Sequence, residues 1–124
     1  MTDPTRDLLP EGLEDRLPQA AAAAARVEQA ALAKMASWGY DLVAPPLIEF
    51  ETSMAERMHG FATRRMFRFV DPKSLRTLAL RSDITVQVGR IAATGLAAST
   101  RPLRLCYAGK VARIAGDSLD PRRE

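Results

Sequence analysis

The sequence has almost none of the residues that build covalent or metal cross-links. Among its 124 residues it contains one cysteine, Cys106, and one histidine, His59. A single cysteine cannot form an internal disulfide, which favours a reducing, cytoplasmic environment. One cysteine and one histidine also cannot supply the ligands of a Cys/His zinc site, so we expect no metal.

Long apolar runs and a leader segment are also lacking. No apolar stretch approaches the roughly 20 residues that a membrane-spanning helix needs, so we expect no membrane partner. The start of the chain is polar and acidic, unlike the basic start of a signal peptide. Hydrophobic residues make up 47% and charged residues 27%, which excludes a disordered tail and fits one globular domain or part of one.

The net charge of +3 is unevenly distributed along the chain. Residues 1–100 contain 12 basic and 12 acidic residues, whereas residues 101–124 contain six basic and three acidic ones. An evenly basic nucleic-acid-binding surface would not show this pattern. The excess near the end of the chain indicates either a local anion site or a solvated basic edge.

The first strong structural signal is an alanine-rich helix that follows an irregular lead-in at residues 1–17. Pro18 fits a first helical turn, where its missing N–H has no partner, and Gly39 is typical of a helix end. The small side chains permit close approach of another backbone, by default the sheet of the same fold and otherwise a partner subunit. The apolar stripe of this helix consists of Val27, Ala31, Met35 and Trp38.

Extended segments dominate the next part of the chain. Residues 41–44 and 47–50 lie on either side of Pro45–Pro46, and a residue that precedes proline avoids the helical conformation. Residues 66–70 alternate between apolar and polar side chains, and a turn signature follows them. Residues 76–80 then have the composition of a second strand that runs back along the first. These last two segments predict a β-hairpin.

A short helix is expected between the extended segments and the hairpin. Thr52 or Ser53 can cap it, and Glu56 stands three residues after Ser53, as in a capping box. The helix is expected to reach about His59.

The last third of the chain predicts a helix, then strands, then a loop. Ser82 or Asp83 can cap a helix over residues 84–93. Residues 103–107 and 110–114 have the composition of strands, and residues 115–124 that of a loop. The element order predicts an α+β fold with a mostly antiparallel sheet flanked by helices. Because the last strand would have no obvious partner, we expect residues 18–124 to be the N-terminal part of a longer domain.

Generic catalytic motifs are scarce. The sequence has no Gly-rich phosphate loop and no Ser/His/Asp order, so we expect no cofactor and no catalytic residue. His59 is expected to be a surface or packed histidine, and Cys106, in an apolar segment, a buried inert thiol. Asp83 and Thr85 are the candidates for a binding site, at a predicted strand-to-helix junction. Their side chains could both point into one cleft. Alternatively, the segment is simply the N-cap of the helix.

Four segments, in matching order and spacing over residues 10–124, resemble the histidyl-tRNA synthetases, a class II family. They are Leu80–Thr85, similar to Leu-Arg-Pro-Glu-Gly-Thr; Gly39–Glu49, similar to motif 1 with Pro46 at its proline; Met66–Asp71, similar to Met-Tyr-x-Phe-x-Asp; and Arg101–Arg113, similar to the run into motif 2 that ends on its arginine. The resemblance implies a class II synthetase-like fold, with the chain ending within motif 2.

The departures from the synthetase pattern concern ATP. Motif 2 continues as Arg-x-Glu, whose carboxylate contacts adenine, but here Ala115 stands two residues after Arg113. The Pro-Gln-x-Gly-Arg loop is absent, and Ser82 and Ile84 replace a proline and a glycine. Loss of the adenine contact removes about 1–3 kcal/mol of polar binding. These changes resemble the synthetase-like regulatory subunits of ATP phosphoribosyltransferase.

That resemblance implies a non-catalytic role at the first step of histidine biosynthesis. The partner would be the short-form ATP phosphoribosyltransferase catalytic subunit, and the ligand would be L-histidine, bound for feedback inhibition. Asp83 and Thr85 offer a carboxylate and a hydroxyl to the α-ammonium group, and Arg113 offers a bidentate donor to the α-carboxylate. Self-association as a dimer is implied through the region of Met35, Trp38 and Pro46.

Two alternatives stay open from the sequence. The chain could be the N-terminal part of a true histidyl-tRNA synthetase, which aminoacylates tRNA with ATP; Ala115 argues against this. It could also be a nucleic-acid-binding module, which the neutral first 100 residues disfavour.

Overall fold

The structure, a computed structural model, describes residues 8–58, 65–115 and 118–123. The backbone of residues 8–17 forms turns and irregular structure before the first helix. The short second helix ends at Ala55, so the expectation that it reaches about His59 is wrong; His59 itself lies outside the described residues. The elements, in chain order, are α1 (Pro18–Ser37), β1 (Asp41–Leu42), β2 (Ile48–Phe50), α2 (Glu51–Ala55), β3 (Arg68–Val70), β4 (Thr77–Leu80), α3 (Ile84–Ala93), β5 (Leu105–Cys106), β6 (Lys110–Ala115) and β7 (Ser118–Arg123).

The strands form three small sheets, two of them antiparallel. The largest has the order β2-β4-β3, with Phe69 opposite Leu78 in the predicted hairpin and Ile48 opposite Leu80 on the other side. β6 and β7 pair antiparallel, whereas β1 and β5 pair parallel. The predicted α+β class with a mostly antiparallel sheet is therefore confirmed.

Helix α1 begins and ends where the sequence predicts. Pro18 occupies its first turn, and Gly39 follows its end with φ at +85°. The N–H of Gly39 donates to the carbonyl of Ala36 at 3.0 Å, and that of Tyr40 to the carbonyl of Met35 at 3.2 Å. These are the two bonds of a Schellman motif, which needs a left-handed residue at the glycine position.

In the part of the chain that the structure describes, α1 contacts β1, but its predicted apolar stripe does not pack on a sheet. No residue of α1 is buried, and Val27 and Trp38 are 70% and 66% exposed. The apolar stripe thus faces away from the described core. Alanine content and a C-terminal glycine are sufficient for a helix here, but they do not determine what it packs against.

The small core lies between α2 and the three-stranded sheet. Met54 from α2, Met66 before β3 and Ala79 from β4 are 2% or less exposed and pack together, with Met58 at their edge. Methionine side chains are flexible enough to fill an irregular gap of this kind. This packing fixes β4, and β4 leads directly into the turn before α3.

Two further local predictions are wrong. Ser53 does not cap α2, because the helix already begins at Glu51 with Phe50 at its cap and no side-chain cap bond. The segment after β6 is not a loop throughout, because residues 118–123 form β7 and pair with β6. β7 forms through backbone pairing, which the polar composition of the segment did not predict. β6 therefore has a partner within the chain, contrary to the expectation that it would be unpaired.

Candidate functional site

The predicted ligand residues meet where β4, α3 and β6 come together. Asp83 is the N-cap of α3, and its Oδ1 accepts the backbone N–H of Thr85 at 2.8 Å. The hydroxyl of Thr85 hydrogen-bonds the hydroxyl of Tyr107, which follows β5. Asp83 is half-buried and Thr85 is exposed. The cap interpretation of Asp83 is therefore correct for the structure and leaves its ligand role as a separate prediction.

Arg113 reaches the same place from β6. Its Nε–H donates to the carbonyl oxygen of Ser82 at 2.7 Å, directly before Asp83 in the chain. This bond orients the plane of a guanidinium, whose five N–H donors match the two oxygens of a carboxylate. The bond connects Arg113 to the segment that carries Asp83 and Thr85, and a carboxylate, a hydroxyl and a guanidinium are groups that can bind an α-amino acid.

A second cluster supports the site from the side of β2. Glu49 is an almost buried carboxylate, with its side chain 8% exposed, and its Oε1 accepts from Arg90 Nε at 2.8 Å and from Gln87 Nε2 at 3.2 Å. Gln87 also donates to the carbonyl of Pro46 at 2.6 Å. Glu49 therefore connects β2 to α3 and keeps the helix that carries Asp83 in place.

The expected dimer residues are accessible on the chain. Met35 and Trp38 are 44% and 66% exposed, and Pro46 is exposed as well. Large apolar side chains exposed on one helix face often mark an interaction surface. Their exposure is compatible with the predicted self-association, which stays a prediction.

The described residues provide neither a metal cluster nor a membrane helix. Within residues 8–58, 65–115 and 118–123, no group of three or more His, Cys, Asp or Glu side chains could hold a metal ion. No helix among them is both long and apolar enough to cross a membrane. Cys106 is buried and free, as expected for an inert thiol.

An open groove lies away from the predicted ligand residues. Its volume is about 360 Å³, and it runs between β1 and residues 96–105. Leu42, Leu103 and Arg104 contribute to its lining, whereas Asp83, Thr85 and Arg113 do not. The candidate site at the N-terminus of α3 is therefore separate from this groove.

Sequence reasoning missed the residues that hold the candidate site together. Tyr107, Gln87 and Arg81 contact segments 22 to 41 residues away along the chain. Arg81 and Tyr107 lie inside segments that carry the family resemblance, which was the only available signal for them. Glu49 was part of the motif 1 resemblance but had no assigned role.

Comparison with known proteins gives a consistent family. The sequence profile described as Histidyl-tRNA synthetase matches residues 12–124. The chain is 48% identical over 96% of its length to the ATP phosphoribosyltransferase regulatory subunit of Paramagnetospirillum magneticum, and 44% identical over 100% to that of Rhodospirillum centenum. It spans 31% and 33% of those two relatives, or about a third of their length.

The fold comparison agrees with the sequence comparison. The chain superposes on the crystal structure of an ATP phosphoribosyltransferase regulatory subunit/histidyl-tRNA synthetase from Bacillus halodurans with a TM-score of 0.83 and 25% identity. The match covers 99% of this chain and 32% of the other. The predicted class II synthetase-like fold is therefore confirmed.

Proposed function

The chain belongs to the histidyl-tRNA synthetase family, and from this premise we propose that it is part of a non-catalytic regulatory subunit of ATP phosphoribosyltransferase. The observation that carries the proposal is the 48% and 44% identity, over nearly the whole chain, to proteins that bear that name. The proposed partner is the short-form catalytic subunit, and the proposed setting is the first step of histidine biosynthesis in the cytoplasm.

Loss of synthetase chemistry is supported by the end of β6. Ala115, its last residue, stands two residues after Arg113, where a synthetase has the glutamate that contacts adenine. A methyl group cannot accept the hydrogen bonds of adenine, which removes about 1–3 kcal/mol of binding. We therefore propose that the protein does not adenylate histidine and has no tRNA partner.

Histidine is the proposed ligand of the site at the α3 N-terminus. Asp83 and Thr85 provide groups for an α-ammonium, and Arg113 provides a donor pair for an α-carboxylate. Binding there would signal histidine abundance to the catalytic subunit and reduce its activity. We further propose that the subunit self-associates through the exposed stripe of α1 that includes Met35 and Trp38.

The competing function is that of a histidyl-tRNA synthetase. It is favoured by the profile that matches residues 12–124 and by the double name of the Bacillus halodurans structure. A pyrophosphate exchange assay separates the two functions, because only an adenylating enzyme returns labelled pyrophosphate to ATP when histidine is present.

The proposal is tested by reconstitution with the complete protein. Mixed with a short-form catalytic subunit, it should confer phosphoribosyl transfer that histidine inhibits, and alone it should give no histidine-dependent exchange. No effect on the catalytic subunit would contradict the regulatory function. Clear histidine-dependent exchange would instead establish the synthetase alternative.

A further inference from the structure

Arg81 lies at the junction of the segments that form the candidate site. It is about nine-tenths buried. Its Nε–H donates to the carbonyl of Lys110 at 2.7 Å, and its Nη1 donates to the carbonyl of Pro45 at 3.0 Å. Its own backbone carbonyl accepts the N–H of Ala112 at 3.0 Å. One side chain therefore joins the Pro45–Pro46 segment to the start of β6.

The Pro45–Pro46 segment depends on such donors. Neither proline has an N–H, so neither can act as the donor in a strand pair, and side chains supply the donors for their carbonyls. Pro45 receives one from Arg81, and Pro46 receives one from Gln87 at 2.6 Å. Arg81 lies just before Asp83, the N-cap of α3, and Gln87 lies in the first turn of α3 with Thr85.

Gly109 leaves the space that the guanidinium of Arg81 occupies. A Cβ atom at position 109 would lie 2.4 Å from Arg81 Nη2 and 3.2 Å from Ile84 Cδ1. The end of an arginine side chain usually moves aside cheaply, but this one is hydrogen-bonded to two carbonyls. Any side chain at position 109 would therefore displace the guanidinium from Pro45 or from Lys110.

The same contacts determine where Arg113 lies. Lys110 and Ala112 are bonded to Arg81, and Arg113 follows them on β6 and donates to Ser82. A shift of the Arg81 guanidinium would tilt β6 against α3. That tilt would change the separation of Arg113 from Asp83, which are proposed to bind opposite ends of the amino acid.

We propose that Arg81, for which Gly109 leaves room, is a positioning residue that sets the geometry of the amino-acid pocket and couples it to the Pro45–Pro46 segment. The inference rests on the proposed histidine site and extends it. Arg81 need not touch the ligand, since it acts through β6 and the first turn of α3. A displacement of the Pro45–Pro46 segment would reach β6 through the two bonds of Arg81 to Pro45 and Lys110.

A double-mutant cycle on the complete protein tests this role. Histidine affinity is measured by calorimetry for Arg81→Lys, Gly109→Ala and the double variant, at a temperature where thermal scans show each to be folded. Each single variant should raise the Kd for histidine about tenfold, as expected for one lost bond to a charged group. The double variant should be less than twofold weaker than Arg81→Lys, because both changes disturb one contact.

Gly89→Ala is the matched control. Gly89 lies within α3, and a Cβ there would have no atom within 4 Å. This variant should leave the Kd within twofold of wild type. If Gly109→Ala does not fold, the Kd of Arg81→Lys is compared with that of Gly89→Ala, and this comparison alone tests the role of Arg81.

The outcomes separate this inference from the proposed function. Wild-type affinity in both Arg81→Lys and Gly109→Ala, even with a lowered melting temperature, would show that Arg81 only supports the fold. The inference would then be overturned while the histidine site stands. A wild-type protein that does not bind histidine would overturn the site and this inference together.

Discussion

Arg90 and Glu49 form an ion pair in which Nη2 of the guanidinium lies 2.6 Å from Oε1 of a carboxylate that is 8% exposed. The pair joins α3 to β2 across 41 residues of sequence. Gln87 Nε2 approaches the same oxygen at 3.2 Å, and the hydroxyl of Ser53 approaches the other carboxylate oxygen at 3.4 Å. The position of the helix that presents Asp83 therefore depends on a charge that is largely removed from water.

Removing the arginine should destabilise the fold. We expect Arg90→Met to lower the free energy of unfolding by about 3 kcal/mol, because it leaves a nearly buried carboxylate without its cation. Adding Glu49→Gln should recover part of the loss, since the amide keeps an acceptor for Gln87 and has no charge. Urea unfolding of the complete protein measures both, and a change below about 0.5 kcal/mol for Arg90→Met would contradict the interpretation.

Trp38 tests self-association. Its side chain is 66% exposed on the described chain, so it can be buried only by a second subunit or by the rest of the complete protein. We expect Trp38→Asp to convert dimers to monomers or aggregates, because the association would bury a charge without a counter-ion. Light scattering measures the mass, and Gln29→Asp, which adds the same charge to α1 away from the apolar stripe, should remain dimeric. If Trp38→Asp is also dimeric, the stripe is not the interface.

Asp71 gives the β3–β4 turn a dependence on pH. Its carboxylate accepts the N–H of Lys73 at 3.0 Å and the hydroxyl of Ser74 at 2.7 Å. These bonds, that of Lys73 first, lower the pKa of the Asp71 carboxyl below its ordinary value of 3.8. The stabilisation is therefore complete above the unfolded pKa and is lost as the pH falls through the lower folded pKa.

The matched variant is Asp71→Asn, which keeps the turn acceptor but has no charge. Its urea midpoint should lie slightly below that of wild type at neutral pH, and the difference should shrink as the pH falls through the folded pKa, which lies below 3.8. A difference that is constant from neutral to acidic pH would show that the charge of Asp71 plays no part in the turn.

Local chemistry allowed much of the fold to be predicted. Pro18 and Gly39 mark the ends of α1, the alternation before Asp71 and the turn signature that begins there mark the hairpin, and Asp83 caps α3 as predicted. Each of these features depends on residues within a few positions of one another. The cap prediction at Ser53 failed because that residue lies inside α2, where its hydroxyl approaches Glu49.

The parts that the sequence did not reveal depend on distant contacts. Nothing near Arg81 in the chain indicates that it would bond Pro45 and Lys110, 36 and 29 residues away. β7 is likewise a strand because β6 lies beside it, and its polar composition suggested a loop. Asp83, Thr85 and Arg113 were grouped through the family resemblance, and the fold places them at one junction without testing their role as ligand groups.

The most direct test of the account is calorimetric titration of histidine into the complete protein and its pocket variants. Arg113→Ala should weaken binding by about 2–4 kcal/mol, the range for truncating one partner of a buried charge pair. Arg113→Lys should recover only part of this loss, because the ammonium group of lysine cannot donate the two parallel hydrogen bonds of a guanidinium. Asp83→Asn should also weaken binding while the fold stays intact, since asparagine caps a helix as well as aspartate does. Unchanged histidine affinity in both Asp83→Asn and Arg113→Ala would contradict the proposed site and leave Asp83 as a helix cap alone.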